Sequence, residues 1–402
     1  MGFPEDWQYK IKVTLASAII DAALTDFTSL LVRSGATGIP DHVFANANAD
    51  GSDIRVSLNA DGSGLLTADV IHWVATAGSQ AALVRIGTMS RSASADDTVY
   101  LWYGNANATA QTGSGAYDDD WRCYYPGGPV GASGAVADRT ANGNNLSGGL
   151  GVGDVADGPV VAGVESLVFD GSTVETAAGV GAQTAAATLL AYVKTNTSAD
   201  NAVFFAASRG GSDGNMWCGF AGDLAAFKYG GKAATEPAPA DYLDNAWHHY
   251  AGENISATSR RVLMDGSELA TNSEDDGTND RTDIFVGAYH EGVVVPFTGS
   301  LAEIQYHKVA RGDAWIDAEY AQTSDAGNAV SFASAALERV QHNDQLGALD
   351  ALSGSANEAY GSYVDADGVT QYRNQAYGDS HNDAYGSLAQ NEAVGSHFEE
   401  VV

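Results

Sequence analysis

The sequence predicts an all-β protein with more than one domain. Its apolar residues occur in short runs, which turn dipeptides such as Asp50-Gly51 and Asp61-Gly62 separate. Strands joined by tight turns give this pattern. The 47 Gly residues far outnumber the 12 Phe and 4 Met, and long helical periodicity is nearly absent. Because 402 residues exceed the size of most single cores, two or three domains are expected.

The first region, residues 1–107, is predicted to be a β-sandwich. Trp7–Val13 alternates in polarity, as a half-buried strand does. Five more strand candidates follow, at Phe27–Val32, Ile54–Leu58, Leu65–Val74, Ala81–Ile86 and Thr98–Tyr103. Six strands in about a hundred residues fit a sandwich of two sheets.

Three separated motifs in this region suggest a family. They are Leu24–Phe27, Ala47–Arg55 and Val99–Asn105, and their order resembles a family of unknown function, DUF2341. Members of that family often stand directly before a laminin-G-like domain, and no activity is attached to them. The resemblance implies that residues 1–107 form a separate β domain.

The second region, residues 108–323, contains the strands on which the rest of the chain is organised. Apolar runs separated by Asp-Gly or Gly turns lie at Trp247–Ala251, Arg261–Gly266, Asp283–Gly287 and Phe297–Tyr306. Their order resembles the second half of a concanavalin A-like jelly roll of the laminin-G type. The Phe169–Gly171 turn and the strand Ala187–Lys194 resemble earlier parts of that fold. The resemblance implies a jelly-roll domain over residues 108–323.

A single short helix is expected at the end of this domain, over Asp313–Tyr320. Asp313 is a suitable N-cap, and Trp315 and Ala318 fall on one face of the helix. That face is expected to dock on the sandwich.

The last region, residues 324–402, is acidic and repetitive. The motif Asn-x-Ala-Tyr-Gly begins at Asn357, Asn374 and Asn382, and a variant with Val begins at Asn391. A short repeat cannot close a core alone. We interpret the region as an assembly segment that joins copies of this chain and other proteins, with Tyr360, Tyr377 and Tyr385 as its assembly residues. The alternative is a disordered acidic tail. The Ala/Leu spacing from Ala329 to about Leu352 suggests a helix before the repeats.

The charge balance excludes some partners. The chain has 51 Asp and Glu against 19 Lys and Arg, a net charge of −32. Such a chain repels phosphate backbones and anionic membranes, so no nucleic-acid partner is expected. No stretch approaches the roughly 20 apolar residues of a membrane span, and the first residues do not resemble a signal peptide. The acidic, Lys-poor composition fits a halophilic or marine origin, or an ordinary acidic extracellular protein.

The residues of known catalytic patterns are absent. Retaining glycosidases on this fold need two carboxylates about 5–5.5 Å apart, but Glu303 stands alone in its strand and is interpreted as structural. Val294 occupies the second His position of the metalloprotease pattern that His290-Glu291 begins. We therefore expect no enzymatic activity. Cys123 and Cys218 are expected to be buried free thiols, although one disulfide is possible by count.

Calcium is the one metal that the pattern suggests. Jelly rolls that this chain resembles often hold a rim Ca²⁺ with Asp, Asn and carbonyl oxygens. The residues that match here are Asp138, Asn142, Asn144 and Asp170. Asp and Asn also favour turns for backbone reasons alone, and this alternative stays open.

Glycan binding would require exposed aromatic rings near polar groups. The candidate platforms lie in Gly-rich surroundings and are Tyr124, Tyr125, Trp217 and Tyr289. Trp7, Trp102, Trp247 and Trp315 fit core positions of the families and are not candidates.

Three functions are consistent with these observations. The first is a virion structural protein (a capsid decoration, turret or tail fibre) of a virus of a halophilic or marine microbe, whose lectin-like domain contacts host glycans. The alternative is a secreted or cell-surface carbohydrate-binding or adhesion protein of a prokaryote. A glycoside hydrolase with an unrecognised carboxylate pair is the weaker alternative.

Overall fold

The structure is a computed structural model. It describes residues 3–128, 130, 135–151, 155–161, 164–179, 186–196, 202–208, 216–221, 224–229, 232–237, 242–274, 282–289, 296–325, 329–333, 338–340, 358–364 and 370–376. Residues 11–333 form one compact unit, and residues 1–10 with 334–402 form another. The described residues contain no helix that is long and apolar enough to cross a membrane.

The N-terminal region of the large unit consists of two antiparallel sheets. Its strands are β1 (Tyr9–Leu15), β2 (Leu24–Ser34), β3 (Thr37–Gly38), β4 (Arg55–Ser57), β5 (Leu65–Leu66), β6 (Ala68–Val74), β7 (Ala81–Arg91) and β8 (Asp97–Tyr103). A short helix α1 (Asp41–Asn46) and two 3₁₀ turns (Ser17–Ile19 and Gly113–Ala116) connect them. One sheet contains β1-β8-β4-β5, and the other has the order β3-β2-β7-β6. Five of the six predicted strand segments are confirmed. The sixth, Leu65–Val74, is divided at Thr67 into β5 and β6, which belong to different sheets.

The jelly roll consists of two larger sheets. Its strands are β9 (Trp121–Tyr125), β10 (Ser147–Gly148), β11 (Val155–Asp157), β12 (Glu165–Asp170), β13 (Glu175–Ala177), β14 (Ala187–Lys194), β15 (Ala202–Ser208), β16 (Met216–Ala221), β17 (Leu224–Tyr229), β18 (Lys232–Pro237), β19 (Trp247–Ser256), β20 (Ser259–Met264), β21 (Ser267–Asn272), β22 (Asp283–Val286) and β23 (Thr298–His307). The seven-stranded sheet has the order β10-β13-β22-β15-β16-β17-β18. The eight-stranded sheet has the order β11-β12-β23-β14-β19-β20-β21, with β9 beside β23. The predicted all-β fold, a β-sandwich followed by a concanavalin A-like jelly roll, is therefore confirmed.

The main core lies between these two sheets. Alternate residues of neighbouring strands supply it, including Phe205, Cys218 and Phe227 from the seven-stranded sheet and Tyr250 and Ile304 from the eight-stranded sheet. Cys123 and Cys218 are both buried free thiols, which confirms that prediction.

The helix α2 (Asp313–Ser324) follows the last jelly-roll strand. Trp315 and Ala318 are both buried, as the sequence predicted. The N-cap is Gly312 and not Asp313, which is the first helical residue. Gly312 has a positive φ of 75°, a backbone conformation that Gly adopts without the steric cost of a Cβ, so the cap position was predicted one residue too late.

A strand from beyond the helix returns to the N-terminal region. In β24 (Val330–Phe332), Val330 pairs with Leu15 and Phe332 with Val13 of β1. The helix expected from Ala329 onward is therefore wrong for these three residues, because their backbone groups bond to a distant strand. The predicted division at residues 107 and 323 stays a prediction.

The small unit contains short antiparallel pairs. Strand β25 (Glu338–Arg339) pairs with Tyr9 and Lys10 at the start of β1. Strands β26 (Glu358–Val364) and β27 (Thr370–Ala376) form a two-stranded sheet in which Tyr360 is opposite Asn374. The other predicted assembly residues, Tyr377 and Tyr385, lie outside the described residues.

Candidate functional site: an aromatic sheet face and its surroundings

One row of side chains crosses the seven-stranded sheet. Ala206 of β15 pairs with Phe285 of β22 on one side and with Trp217 of β16 on the other. Trp217 in turn pairs with Lys228 of β17. Directly paired residues project from the same face of a sheet, so these four side chains share one face.

That face is the one turned away from the main core. Phe205 and Cys218, each adjacent in sequence to a residue of the row, belong to the main core, and successive residues of a strand point to opposite faces. The outward residues form a separate apolar cluster, which we call the Trp217 face: Val203, Ala206, Trp217, Ala226 and Phe285. Val174 and Tyr289, both half-buried, pack against it. Trp217 is 9% exposed, the largest exposed fraction among the five residues of the cluster.

The structure brings together two of the four predicted glycan platforms. Trp217 and Tyr289 meet in the cluster on this face. The other two, Tyr124 and Tyr125 of β9, are completely buried. Tyr124 donates to Glu303 Oε2 at 2.6 Å and Tyr125 to the carbonyl of Asn144 at 2.5 Å. Their prediction as exposed platforms is wrong, because β9 is covered on both faces.

The loop of the predicted calcium residues is held together by its own hydrogen bonds. The Asp138 carboxylate accepts the backbone N–H groups of Tyr124, Thr140 and Asn144 at 3.0, 2.9 and 2.8 Å. It also accepts the Thr140 hydroxyl at 2.9 Å. Burial raises the pKa of Asp138, and these hydrogen bonds oppose that rise. The carboxylate thus acts as the centre of a turn.

The remaining calcium candidates also have turn roles. Asn142 Nδ2 donates to the carbonyl of Trp121 at 2.7 Å, and Asn144 Nδ2 donates to that of Arg122 at 2.7 Å. Asp170 belongs to a different turn, where it accepts the backbone N–H of Ser172 at 2.8 Å. Among the described residues, no group of three or more His, Cys, Asp or Glu side chains could hold a metal. The arrangement is explained by turn formation, and the calcium site stays a prediction.

A buried ionic cluster lies where β7 meets β23 and α2. Arg85 is fully buried, and its Nη2 contacts Glu319 Oε1 at 2.9 Å and Glu303 Oε2 at 3.2 Å. Its Nη1 donates to Thr28 Oγ1 at 2.8 Å. We call Arg85, Glu303, Glu319, Tyr124 and Thr28 the Arg85 cluster. It joins the N-terminal region to the jelly roll.

The position of Glu303 depends on a β-bulge. The pairing of β14 with β23 shifts register, since Leu190 pairs with Gln305 and Tyr192 with Ala302. Glu303 is in the extra segment and has a positive φ of 51°. Strict alternation from the core residue Leu301 would direct Glu303 into the apolar core. The bulge instead turns this side chain to the opposite face of the sheet, where it contacts Arg85.

One cation serves two carboxylates in this cluster. Burial raises the pKa of Glu303 to about 7, although Arg85 and the Tyr124 hydroxyl act in the opposite direction. Burial also acts to raise the pKa of Glu319, but its contacts with Arg85, Gln305 and Gln322 outweigh burial and lower it. Glu319 therefore carries the charge that matches Arg85, and Glu303 is the weaker partner. The structure supports a structural role for Glu303.

The sequence analysis did not identify Arg85 as the centre of the Arg85 cluster or Phe285 as a member of the Trp217 face. Arg85 falls at an outward position of an alternating strand, where side chains usually face solvent. The partners that bury it, Glu303 and Glu319, lie 218 and 234 residues further along the chain. An Arg inside an otherwise apolar strand is the one local signal that could have indicated a buried ion pair.

Comparison with known families identifies one region of the chain. Residues 169–317 match a family model, Laminin_G_3, described as the concanavalin A-like lectin/glucanases superfamily. This agrees with the laminin-G-like resemblance, and the matched region holds most strands of both jelly-roll sheets. The resemblance of residues 1–107 to DUF2341 stays a prediction. Comparison with curated proteins found no significant match.

Several solved structures are similar to this chain. Domain 4 of AbnA, an extracellular arabinanase from Geobacillus stearothermophilus in complex with arabinotriose, is 17% identical with a TM-score of 0.35 and covers 50% of this chain and 98% of its own. The CBM40 of Ruminococcus gnavus IT-sialidase is 12% identical with a TM-score of 0.31. The match covers 39% of this chain and 96% of the CBM40 chain. The receptor-binding domain of botulinum neurotoxin type G is 12% identical with a TM-score of 0.36, covering 49% of each chain. At these identities and TM-scores, the similarities carry no argument about what this chain binds.

Proposed function

We propose that this chain is a non-catalytic carbohydrate-binding protein of the secreted or cell-surface adhesion type. The observation that carries the proposal is the Trp217 face, an outward aromatic cluster on a sheet of the region that matches the lectin/glucanase family. Aromatic rings stack on the apolar faces of sugars, and nearby polar groups fix the orientation of the ligand.

The Trp217 face offers both kinds of group. Tyr289 is half-buried and presents the more accessible ring, and it packs against the cluster that contains Trp217. Lys228 is paired with Trp217 and Thr176 with Phe285 on the same face, and both are half-buried. A neutral or acidic glycan chain lying across the row could contact rings and polar groups together.

Three buried carboxylates of the jelly roll are held in ion pairs, which disfavours a catalytic role for them. Glu253 contacts Arg261 at 2.6 Å, and Glu303 and Glu319 share Arg85. A glycosidase needs one carboxylic acid and one carboxylate beside an accessible sugar. These three side chains are buried in ion pairs and are used by the fold.

A glycan array with the full chain tests this proposal. Tyr289→Ala removes a ring and Trp217→Phe replaces a large ring with a smaller one. Each should weaken the strongest glycan signal by about tenfold, since the lost stacking area is worth roughly 1 kcal/mol or more. Trp247→Ala is the matched control, because Trp247 is a half-buried tryptophan on the other sheet. Absence of any glycan signal, or equal losses in all three variants, would refute the assignment. Release of reducing sugar from a bound glycan would favour the hydrolase alternative.

The virion structural role is a second candidate, and the acidic repeats favour it. In the described part of this region, Tyr360 lies in a two-stranded sheet formed by β26 and β27 alone, and so small a sheet is marginal without further partners. We propose that this segment is stabilised by packing against other copies of the chain or other virion proteins.

Light scattering at low and high salt tests the assembly role. The full chain should form a defined oligomer, and a chain ending at Ala333 should be monomeric. The truncation is placed after β24 because that strand pairs with β1. Monomers in both samples at every salt concentration would remove the assembly role and the virion proposal with it.

A further inference from the structure

We propose a second ligand site, separate from the Trp217 face, in a cleft between the N-terminal region and the Asp138 loop. The cleft has a volume of about 390 Å³, within the size range of small-molecule sites. One wall is formed by the turn at Asp50 and by the start of β6, and the opposite wall by residues 137–140. The ligand we infer is a neutral, hydroxyl-rich molecule the size of one sugar unit.

An ion pair holds the two walls together. Asp69 of β6 is 1% exposed and accepts Arg139 Nε at 3.0 Å, a second Arg139 nitrogen, Nη2, and the Tyr117 hydroxyl at 2.6 Å. Burial disfavours the charged guanidinium, but Asp69 outweighs burial and raises the pKa of Arg139. Arg139 is therefore a fixed cation whose orientation is set before any ligand arrives, which lowers the ordering cost of binding.

Polar atoms facing the cleft are left available. Arg139 Nη1 makes no hydrogen bond to the described residues, and the Arg139 side chain is 31% exposed. Gln111 Oε1 accepts the backbone N–H of Ala68 at 2.9 Å, which orients its Nε2 as a donor. Asp50 Oδ1 accepts the backbone N–H of Ser52 at 3.0 Å, and the Asp50 carboxylate is an acceptor on an exposed residue. Two donors and one acceptor on the rim of a cleft suit hydroxyl groups, which both donate and accept.

The charge of the lining selects among ligand classes. The cleft is lined by Asp50, Asp69 and Asp138 but by only one cation, Arg139. Asp69 already neutralises that cation, so the site has an excess of negative charge. Phosphates, sulfates and acidic sugars are disfavoured at such a site, and neutral sugars are favoured. Ala68, Val70 and Ile54 provide apolar contacts for the ring carbons.

Saturation-transfer NMR on the full chain tests this site. The probes are D-glucose, D-galactose and L-arabinose, with D-glucuronate as the acidic comparison. At least one neutral sugar should bind in the millimolar range. Asp50→Asn, which removes a charged acceptor, should weaken it about tenfold. Tyr289→Ala removes the accessible ring of the Trp217 face, and in that background Ala110→Trp should abolish the remaining binding, because Ala110 is exposed and lines the cleft.

Matched variants make the outcome decisive. Ala106→Trp, on the same loop, exposed and outside the lining, should bind sugar like the unmodified chain. The lining of the cleft shares no residue with the Trp217 face, so failure of the glycan proposal would not remove the cleft site. No binding of any neutral sugar, tighter binding of glucuronate, or unchanged binding in Ala110→Trp would each overturn the inference. Thermal melting of every variant identifies a loss that comes from unfolding.

Discussion

The two outer faces of the jelly roll differ in how they are occupied. The outer face of the eight-stranded sheet is covered by α2 and by the N-terminal region, and charged and polar groups are buried there around Arg85. The outer face of the seven-stranded sheet carries the aromatic and aliphatic residues of the Trp217 face. A buried charge needs a partner fixed in place, whereas an aromatic face can accept a sugar without one. The first face joins parts of the chain, whereas the second carries the half-buried ring of Tyr289 on which the proposed glycan binding depends.

The largest effect is expected at the Arg85 cluster. Arg85→Met leaves Glu303 and Glu319 buried without a cation and should lower the free energy of unfolding by about 3–5 kcal/mol. Urea denaturation measures the change. Arg33→Met is the control, because its partner Asp41 is mostly exposed and can regain water, so a loss of roughly 1 kcal/mol or less is expected. Similar losses in both variants would show that the Arg85 cluster does not join the two regions as described.

The next effect is a loss of ligand binding without a comparable loss of stability. Trp217→Phe keeps an apolar ring on the outward face and should lower the free energy of unfolding by about 1–1.5 kcal/mol, while glycan binding falls about tenfold as proposed above. Denaturation and glycan binding are measured on the same preparation. A stability loss as large as that of Arg85→Met, with unchanged binding, would make the Trp217 face a structural cluster.

The third prediction concerns pH and Glu303. Because burial raises its folded pKa to about 7 from an ordinary value of 4.5, its contribution to stability is full below the ordinary pKa and is lost as pH rises through the folded pKa. Glu303→Gln should therefore reduce the fall in stability between about pH 5 and pH 8 by ~1–2 kcal/mol. Unfolding titrations at both pH values test this. A steeper fall in the variant would contradict the assignment of the raised pKa to Glu303.

The smallest effect is expected at an ion pair near the rim of the eight-stranded sheet. His248 Nδ1 contacts Asp265 at 2.7 Å and its Nε2 contacts Asp244 at 3.2 Å. Burial lowers the pKa of His248, but the two carboxylates outweigh burial and raise it. This stabilisation is present below the ordinary pKa and lost as pH rises through the folded one.

His248→Gln should accordingly cost a few tenths of a kcal/mol at about pH 6 and nearly nothing at about pH 9. Melting temperatures at the two pH values provide the measurement. A larger cost at about pH 9 than at about pH 6 would mean that neutral His248, and not the ion pair, stabilises the fold.

The sequence by itself determined the fold class and most of the elements. Alternation of polarity located β1, and the Asp-Gly turns located the hairpins of the jelly roll, because both are set by local backbone geometry. The buried face of α2, with Trp315 and Ala318, follows from helical periodicity in the same way. Trp217 and Tyr289 were identified as aromatic residues in Gly-rich surroundings, and the structure places them in one cluster.

Tertiary structure alone decided which faces are covered and which charges are buried. Tyr124 and Tyr125 have the local signal of an exposed loop, yet both are buried because β9 pairs with β23 and its two faces are covered. Glu303 meets Arg85 only because a bulge turns it outward. Local sequence sets the direction of a side chain relative to its own strand, but contacts with residues hundreds of positions away decide what that side chain meets.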